Sequence, residues 1–266
     1  MKNDLQISFI QLDIQWENPQ GNYTLIDKSI NSLAEGQDLI ILPEMFTTGF
    51  TMNTAVAEEF ALEMRSLQKM REWSKKTNAA ISGSISVKEG ADFFNRLFFV
   101  RPDGTFEYYD KRHLFRLSDE NSYFTKGKDP IVIEWRTWRI KPLICYDLRF
   151  PVWSRNYIRE DNEADYDFLF YVASWPAVRS HPWKALLVAR AIENQVYCAG
   201  VNRCGKDGGG FDYSGDSLVF NPLGEIIGNA GAEESSISIK LSAEELTAFR
   251  KKFPVLTDAD SFELKG

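Results

Sequence analysis

Histidine and cysteine are scarce in this 266-residue chain: His113 and His181 are the only histidines, and Cys145, Cys198 and Cys204 the only cysteines. None of them approaches the spacing of zinc ligands, so no metal site is expected. Three thiols cannot all pair with one another, which fits a reducing cytoplasm and leaves at least one thiol open to chemistry. Basic excess is missing as well. With 31 Lys and Arg against 38 Asp and Glu, the net charge of -7 argues against the clustered cationic face that holds nucleic acid. No apolar run nears the ~20 residues that span a bilayer, and Met1 to Gln6 lacks a signal core, so no membrane partner is expected. Phosphate loops are absent too, because Gly208-Gly209-Gly210 has neither the spacing nor the lysine they require. Nor does a Pro/Ser linker or low-complexity run divide the chain, so 1–266 reads as one domain of a size that α/β layers often fill alone.

What is present is an alternation of strand and helix signals. Ile7 to Leu12 reads as a strand, and Asn18-Pro19 offers a cap and a first-turn proline for a helix with Ile26, Ile30 and Leu33 at helical spacing. Asp38 to Leu42 is a short apolar run of the kind buried on both faces, and it stops at Pro43-Glu44. A helix is predicted over Glu58 to Lys76, a strand over Ala79 to Val87, and a hairpin at Pro102-Asp103-Gly104. The grammar then repeats. Trp138 to Ile144 is a strand ending at Cys145, a helix is expected from Pro151, Asp167 to Ala173 is an apolar strand, and His181 to Asn194 has helical spacing. Pro222-Leu223-Gly224 marks a second hairpin, Cys198 and Cys204 flank a late strand as structural thiols, and Gly205 to Gly210 reads as a flexible connecting loop. Each half thus places an apolar strand before a chemically unusual residue, Glu44 or Cys145, and closes on a Pro-x-Gly turn. That is a weak internal pseudosymmetry within a mixed α/β fold.

Cys145 stands at a strand end, where α/β sheets gather their active sites, and the residue after it can offer a backbone N–H to an oxyanion. Taken alone, it equally fits a buried core cysteine. Glu44 follows its strand in the same way and can serve as a general base, although a solvated strand-end acid has the same appearance. Lys111, among aromatics after the first hairpin, and Glu120, in a polar segment, are each unremarkable in isolation.

Together, Leu42-Pro43-Glu44, Asp110-Lys111-Arg112-His113-Leu114-Phe115 and Ile144-Cys145-Tyr146-Asp147-Leu148-Arg149-Phe150-Pro151 resemble the motifs of the nitrilase superfamily of carbon–nitrogen hydrolases, in the family's order and across essentially the whole chain. The resemblance implies a four-layer α-β-β-α sandwich and a catalytic triad of Glu44, Lys111 and Cys145, with Glu120, seven residues before Gly127, matching a second glutamate. His113 to Glu120 and Ala173-Ser174-Trp175-Pro176 look most like bacterial omega-amidases, except that Ser174 stands where Asn is usual. The activity implied by this resemblance is hydrolysis of a small carboxamide, the ω-amide of an α-keto acid, by a homodimer without cofactor. Phe46, Phe115, Tyr146 and Trp175 are the expected pocket residues, and Arg116 or Arg179 the partner of a substrate carboxylate. The alternatives are an N-carbamoyl-amine hydrolase, a nitrilase, or a catalytically silent scaffold of the same fold.

Overall fold

Alternating side chains on the opening strands decide how the chain is layered. In β1 (Leu5–Gln11), Leu5, Ile7 and Phe9 enter one core while Ile10 enters another, and β2 (Leu39–Ile41) repeats the division with Leu39 and Ile41 against Ile40. Strands apolar on both faces need cover on both. The computed structural model, which describes residues 2–263, shows that cover. Between these strands runs α1 (Pro19–Ser32), started by the Asn18 side chain, which accepts the Gly21 N–H at 3.1 Å; its buried Tyr23, Ile26 and Ile30 close the outer core. There follow β3 (Glu58–Glu59), α2 (Arg65–Thr77), β4 (Ala80–Glu89), β5 (Asp92–Val100), β6 (Phe106–Asp110) and the short α3 (Glu120–Tyr123). The second half holds β7 (Ile133–Trp135), β8 (Trp138–Ile144), β9 (Phe168–Ala173), α4 (Ser180–Asn194), β10 (Tyr197–Asn202), β11 (Cys204–Lys206), β12 (Asp212–Ser214), β13 (Leu218–Phe220), β14 (Ile226–Asn229), β15 (Ser235–Leu241) and α5 (Ala243–Lys252).

Two large sheets form, ordered β15-β1-β2-β4-β5-β6, with β3 beside β4, and β14-β13-β10-β9-β8-β7, and a small third sheet pairs β11 with β12. Parallel trios occupy both centres, β1-β2-β4 in one and β8-β9-β10 in the other. Each trio ends in an antiparallel hairpin on one side and a single antiparallel strand on the other. The internal pseudosymmetry expected from the sequence is therefore a real duplication of topology. Gly104 and Gly224, at φ +83° and +81°, supply the left-handed residue in the two hairpin turns. With α2 on β4 and β5, and α4 on β10 and β13, the layers run α-β-β-α. No helix among the described residues is long and apolar enough to cross a membrane.

Four local expectations need correction. The helix expected from Glu58 begins at Arg65; Glu58 instead pairs with β4 and caps α2 from outside, accepting the Ser66 N–H at 3.0 Å. No helix starts at Pro151. Tight turns there close at Trp153 and Ser154, and Asn156 is then drawn away by the Asn194 side chain, which accepts its N–H at 2.8 Å. Cys198 lies inside β10 rather than beside it. Gly205 and Lys206 belong to β11, so the glycine-rich segment is the turn of a β11–β12 hairpin.

Candidate active site

A left-handed residue turns the chain after each of β2 and β8: Met45, four residues past the end of β2, and Cys145, the first residue past β8. Met45, just after Glu44, has φ +44°, and its N–H is held by Ser84 Oγ at 2.9 Å. Cys145 itself has φ +42°, a conformation that costs a non-glycine residue on the order of 1–2 kcal/mol and persists only where the surroundings impose it. Asp147 imposes it. Its buried carboxylate accepts the Ile144 N–H (3.1 Å), the His113 N–H (3.0 Å) and the Tyr109 hydroxyl (2.8 Å), and its Oδ1 lies 2.8 Å from His113 Nδ1. The turn holding Cys145 is thereby fastened to the segment that follows Lys111. Lys111 is anchored in turn, its N–H on the Asn95 carbonyl (3.0 Å) and its carbonyl under the Gly127 N–H (2.9 Å). A Cβ on Gly127 would lie 2.0 Å from the Asp110 carbonyl oxygen, so only glycine permits that approach.

Four expected residues converge as a result. Lys111 Nζ donates to Glu44 at 2.8 Å and to both oxygens of Glu120 at 3.0 Å, with all three side chains fully buried. The other Glu44 oxygen accepts the Ser174 N–H at 2.8 Å, and the Ser174 carbonyl lies 3.9 Å from Cys145 Sγ. Burial works against the charge of Lys111, but Glu120 and Glu44 override it and hold the ammonium above its ordinary range. Burial raises Glu120, with Glu44 adding to the rise and Lys111 opposing it. Burial also pushes the Cys145 thiol well up, helped by Glu44 and resisted by Lys111. The surroundings of the sulfur thus oppose a resting thiolate, with the Glu44 carboxylate close by.

Cys145 is 9% exposed, and it opens onto a cavity of about 380 Å³. Phe115, Tyr146, Trp175 and Arg179 line it as expected. Phe46 does not: the left-handed Met45 sends it into the outer core, its ring 6.2 Å from Trp73, and Phe50 and Met52 form the wall instead. Arg116 is exposed, because the tight turn over Arg116–Ser118 presents Leu117 and Ser118 to the cavity. Sequence reasoning overlooked Asn95, Arg149 and the β11–β12 hairpin. Asn95 donates to Glu44 at 2.8 Å and to Glu120 at 3.4 Å, and its only advance sign was a polar amide within the apolar run of β5. Arg149 stands over the Trp175 ring at 4.8 Å and Arg179 over Phe115 at 5.3 Å. From the hairpin come Asp207, Gly209, Phe211 and Tyr213, and Trp16 packs beneath its turn.

Residues 6–251 match the carbon-nitrogen hydrolase family. The chain belongs to that family. It is 46% identical over 261 residues to the Escherichia coli K12 omega-amidase YafV, covering 98% of each chain, and 34% identical to the Bacillus subtilis 2-oxoglutaramate amidase, covering 95% of this chain and 96% of that one. Among solved structures, XC1258 from Xanthomonas campestris, a CN-hydrolase superfamily protein with an arsenic adduct in its active site, superposes with a TM-score of 0.96 at 40% identity, covering 98% of this chain and 99% of that one. The nitrilase-type sandwich and the family resemblance read from three motifs both hold. In this carbon–nitrogen hydrolase, the usual Asn before Trp-Pro is replaced by Ser174, whose N–H donates to the Glu44 carboxylate, whose hydroxyl lies 3.4 Å from the Glu44 carbonyl oxygen, and whose own carbonyl faces Cys145.

Proposed function

We propose that the enzyme hydrolyses the ω-amide of a short α-keto acid, such as 2-oxoglutaramate, to the acid and ammonia through a thioester on Cys145. The observation that carries this reading is the pairing of a thiol with two uncompensated guanidinium groups in one small, mostly apolar cavity. Neither the Arg149 nor the Arg179 side chain has a carboxylate partner among the described residues, although acids outnumber bases in the chain. A guanidinium fork suits a substrate carboxylate, and the aromatic walls suit a short carbon chain. The one acid in the lining, Asp207, is occupied by the Phe211 N–H (2.9 Å) and the Tyr213 hydroxyl (2.8 Å). The similarity to omega-amidases points to the same substrate class.

In this mechanism Glu44 takes the thiol proton as Cys145 attacks the amide carbon. Negative charge then develops on the carbonyl oxygen. The Lys111 ammonium and the Tyr146 N–H, one of the leading N–H groups of a helical turn that lack an intrahelical acceptor, receive it, each such donor contributing about 3 kcal/mol. Glu44 returns the proton to the departing nitrogen, which leaves as ammonia. Water, deprotonated by Glu44 with Glu120 assisting, attacks the thioester, releases the acid and restores the thiol. The same reading places the enzyme in the cytoplasm as a homodimer, which sedimentation velocity and cell fractionation test.

The deciding experiment compares kcat/KM for 2-oxoglutaramate and 2-oxosuccinamate with glutamine, asparagine, N-carbamoyl amines and simple nitriles in one ammonia assay. The keto-acid amides should lead. A preference for carbamoyl amines or nitriles would replace the substrate assignment and leave the cysteine hydrolase standing; no turnover of any of them would favour the scaffold reading.

A further inference from the structure

A second cavity, of about 690 Å³, opens between the segment beyond the Cys145 turn and the C-terminal stretch. Val152, Trp153, Tyr157, Ile158, Leu256 and Phe262 make most of its wall apolar. Lys141, on β8 four residues before Cys145, also lines it while only 5% exposed. Among the described residues, no hydrogen-bond acceptor or carboxylate is paired with its ammonium, which lies 5.2 Å from the centre of the Tyr166 ring. Asp165, the acid acting on it from a distance, is engaged by Arg139 at 3.2 Å. Burial accordingly brings Lys141 down to about 8, with Asp165 offsetting only part of the effect. Other buried cations are handled differently: Lys111 sits between two carboxylates, Arg96 on Asp110, Arg190 on Glu193 and Arg203 on Asp13. A buried charge without a counterion is costly, and a cavity at its head is where a counterion from outside would sit.

We propose that this cavity is a second ligand site, taking a small carboxylate with an apolar body. Lys141 pairs with the carboxylate, and the Trp153, Tyr157 and Phe262 rings enclose the body. One buried ammonium matches one carboxylate charge, and the acid in the lining, Asp260, is exposed to solvent. A phosphate would call for further donors, and the neighbouring Arg155 is already committed to the Glu193 carbonyl at 2.9 Å. The site is separate from the amidase chemistry and does not depend on its substrate.

Benzoate is the probe. Titrated calorimetrically into the full chain, in the wild type and in an Arg149→Leu/Arg179→Leu background that removes the active-site cations, it should bind saturably at one site per chain in that background. Lys141→Met should weaken this binding at least tenfold, and Val152→Trp, which narrows the cavity from its exposed rim with the lysine kept, should do the same. Lys240→Met, at a surface lysine, should change nothing, and Lys141→Met should leave 2-oxoglutaramate hydrolysis intact. Absence of saturable binding in the arginine background overturns the proposal. So does undiminished affinity in folded Lys141→Met, or in Val152→Trp should Lys141→Met fail to fold.

Discussion

Glu44 and Glu120 share one ammonium, and the side-chain amide of Asn95 donates to both. In a fully buried cluster each N–H donor favours the ionised carboxylate over the protonated one. Replacing Asn95 with Leu, similar in size but without donors, should lower kcat by about 10-fold or more and move the acid limb of the kcat profile to higher pH, with KM little changed. A purely structural role for Asn95 would leave that limb where it is. The reacting groups themselves call for larger effects. Cys145→Ala should abolish turnover in a folded protein, and Glu44→Gln and Lys111→Met should each cost kcat at least ~100-fold, because a base and an oxyanion donor act in the transition state. Steady-state ammonia release checks the series, and alkylation mapping should find Cys145 modified ahead of Cys198, which is fully buried within β10 and carries a thiol held above its ordinary range. Unchanged kcat with raised KM in Lys111→Met would reduce that lysine to a binding role.

At the level of elements, the β11–β12 hairpin closes the cavity, although its glycine-rich turn looks in sequence like a mere connector. Gly208 rests on the Trp16 indole so closely that a Cβ there would lie 2.4 Å from the ring. Gly208→Ala should therefore push the turn outward and raise KM for the keto-acid amide about 10-fold with kcat nearly constant, since binding is lost without loss of the reacting groups. An unaltered KM would mean that the hairpin does not touch bound substrate. The strand ends show the opposite legibility. Their apolar runs and their stopping points at Glu44 and Cys145 stand out in the sequence, while the left-handed Met45 beside Glu44 does not, and that single backbone choice removes Phe46 from the site.

Over the whole molecule, the groups of the candidate site straddle the two large sheets: Glu44 and Lys111 follow strands of one, with Glu120 at the start of α3, and Cys145 and Ser174 follow strands of the other. Their spacing is then a property of the core between the sheets, where Ile41 lies, and not of the outer core, where Ile30 of α1 lies. Ile41→Ala and Ile30→Ala should each destabilise by about 2–5 kcal/mol. Only Ile41→Ala should also reduce kcat, at a temperature where both variants are folded. Paired denaturation and kinetic measurements check this, and equal kcat in the two would show that the inter-sheet packing leaves the site geometry alone.

By itself the sequence determined what local pattern can encode: the apolar strands, the Asn18 cap, the two Pro-x-Gly turns, and the three motifs whose order and spacing carry the family. Those signals are local because side-chain periodicity and turn chemistry act over a few residues. Tertiary structure decided the rest. The Asn95 bridge, the Asp147 clasp on the Cys145 turn, and the meeting of Arg149 and Arg179 in one cavity join segments tens of residues apart. Such contacts depend on how two sheets stack, and no window along the chain contains that information.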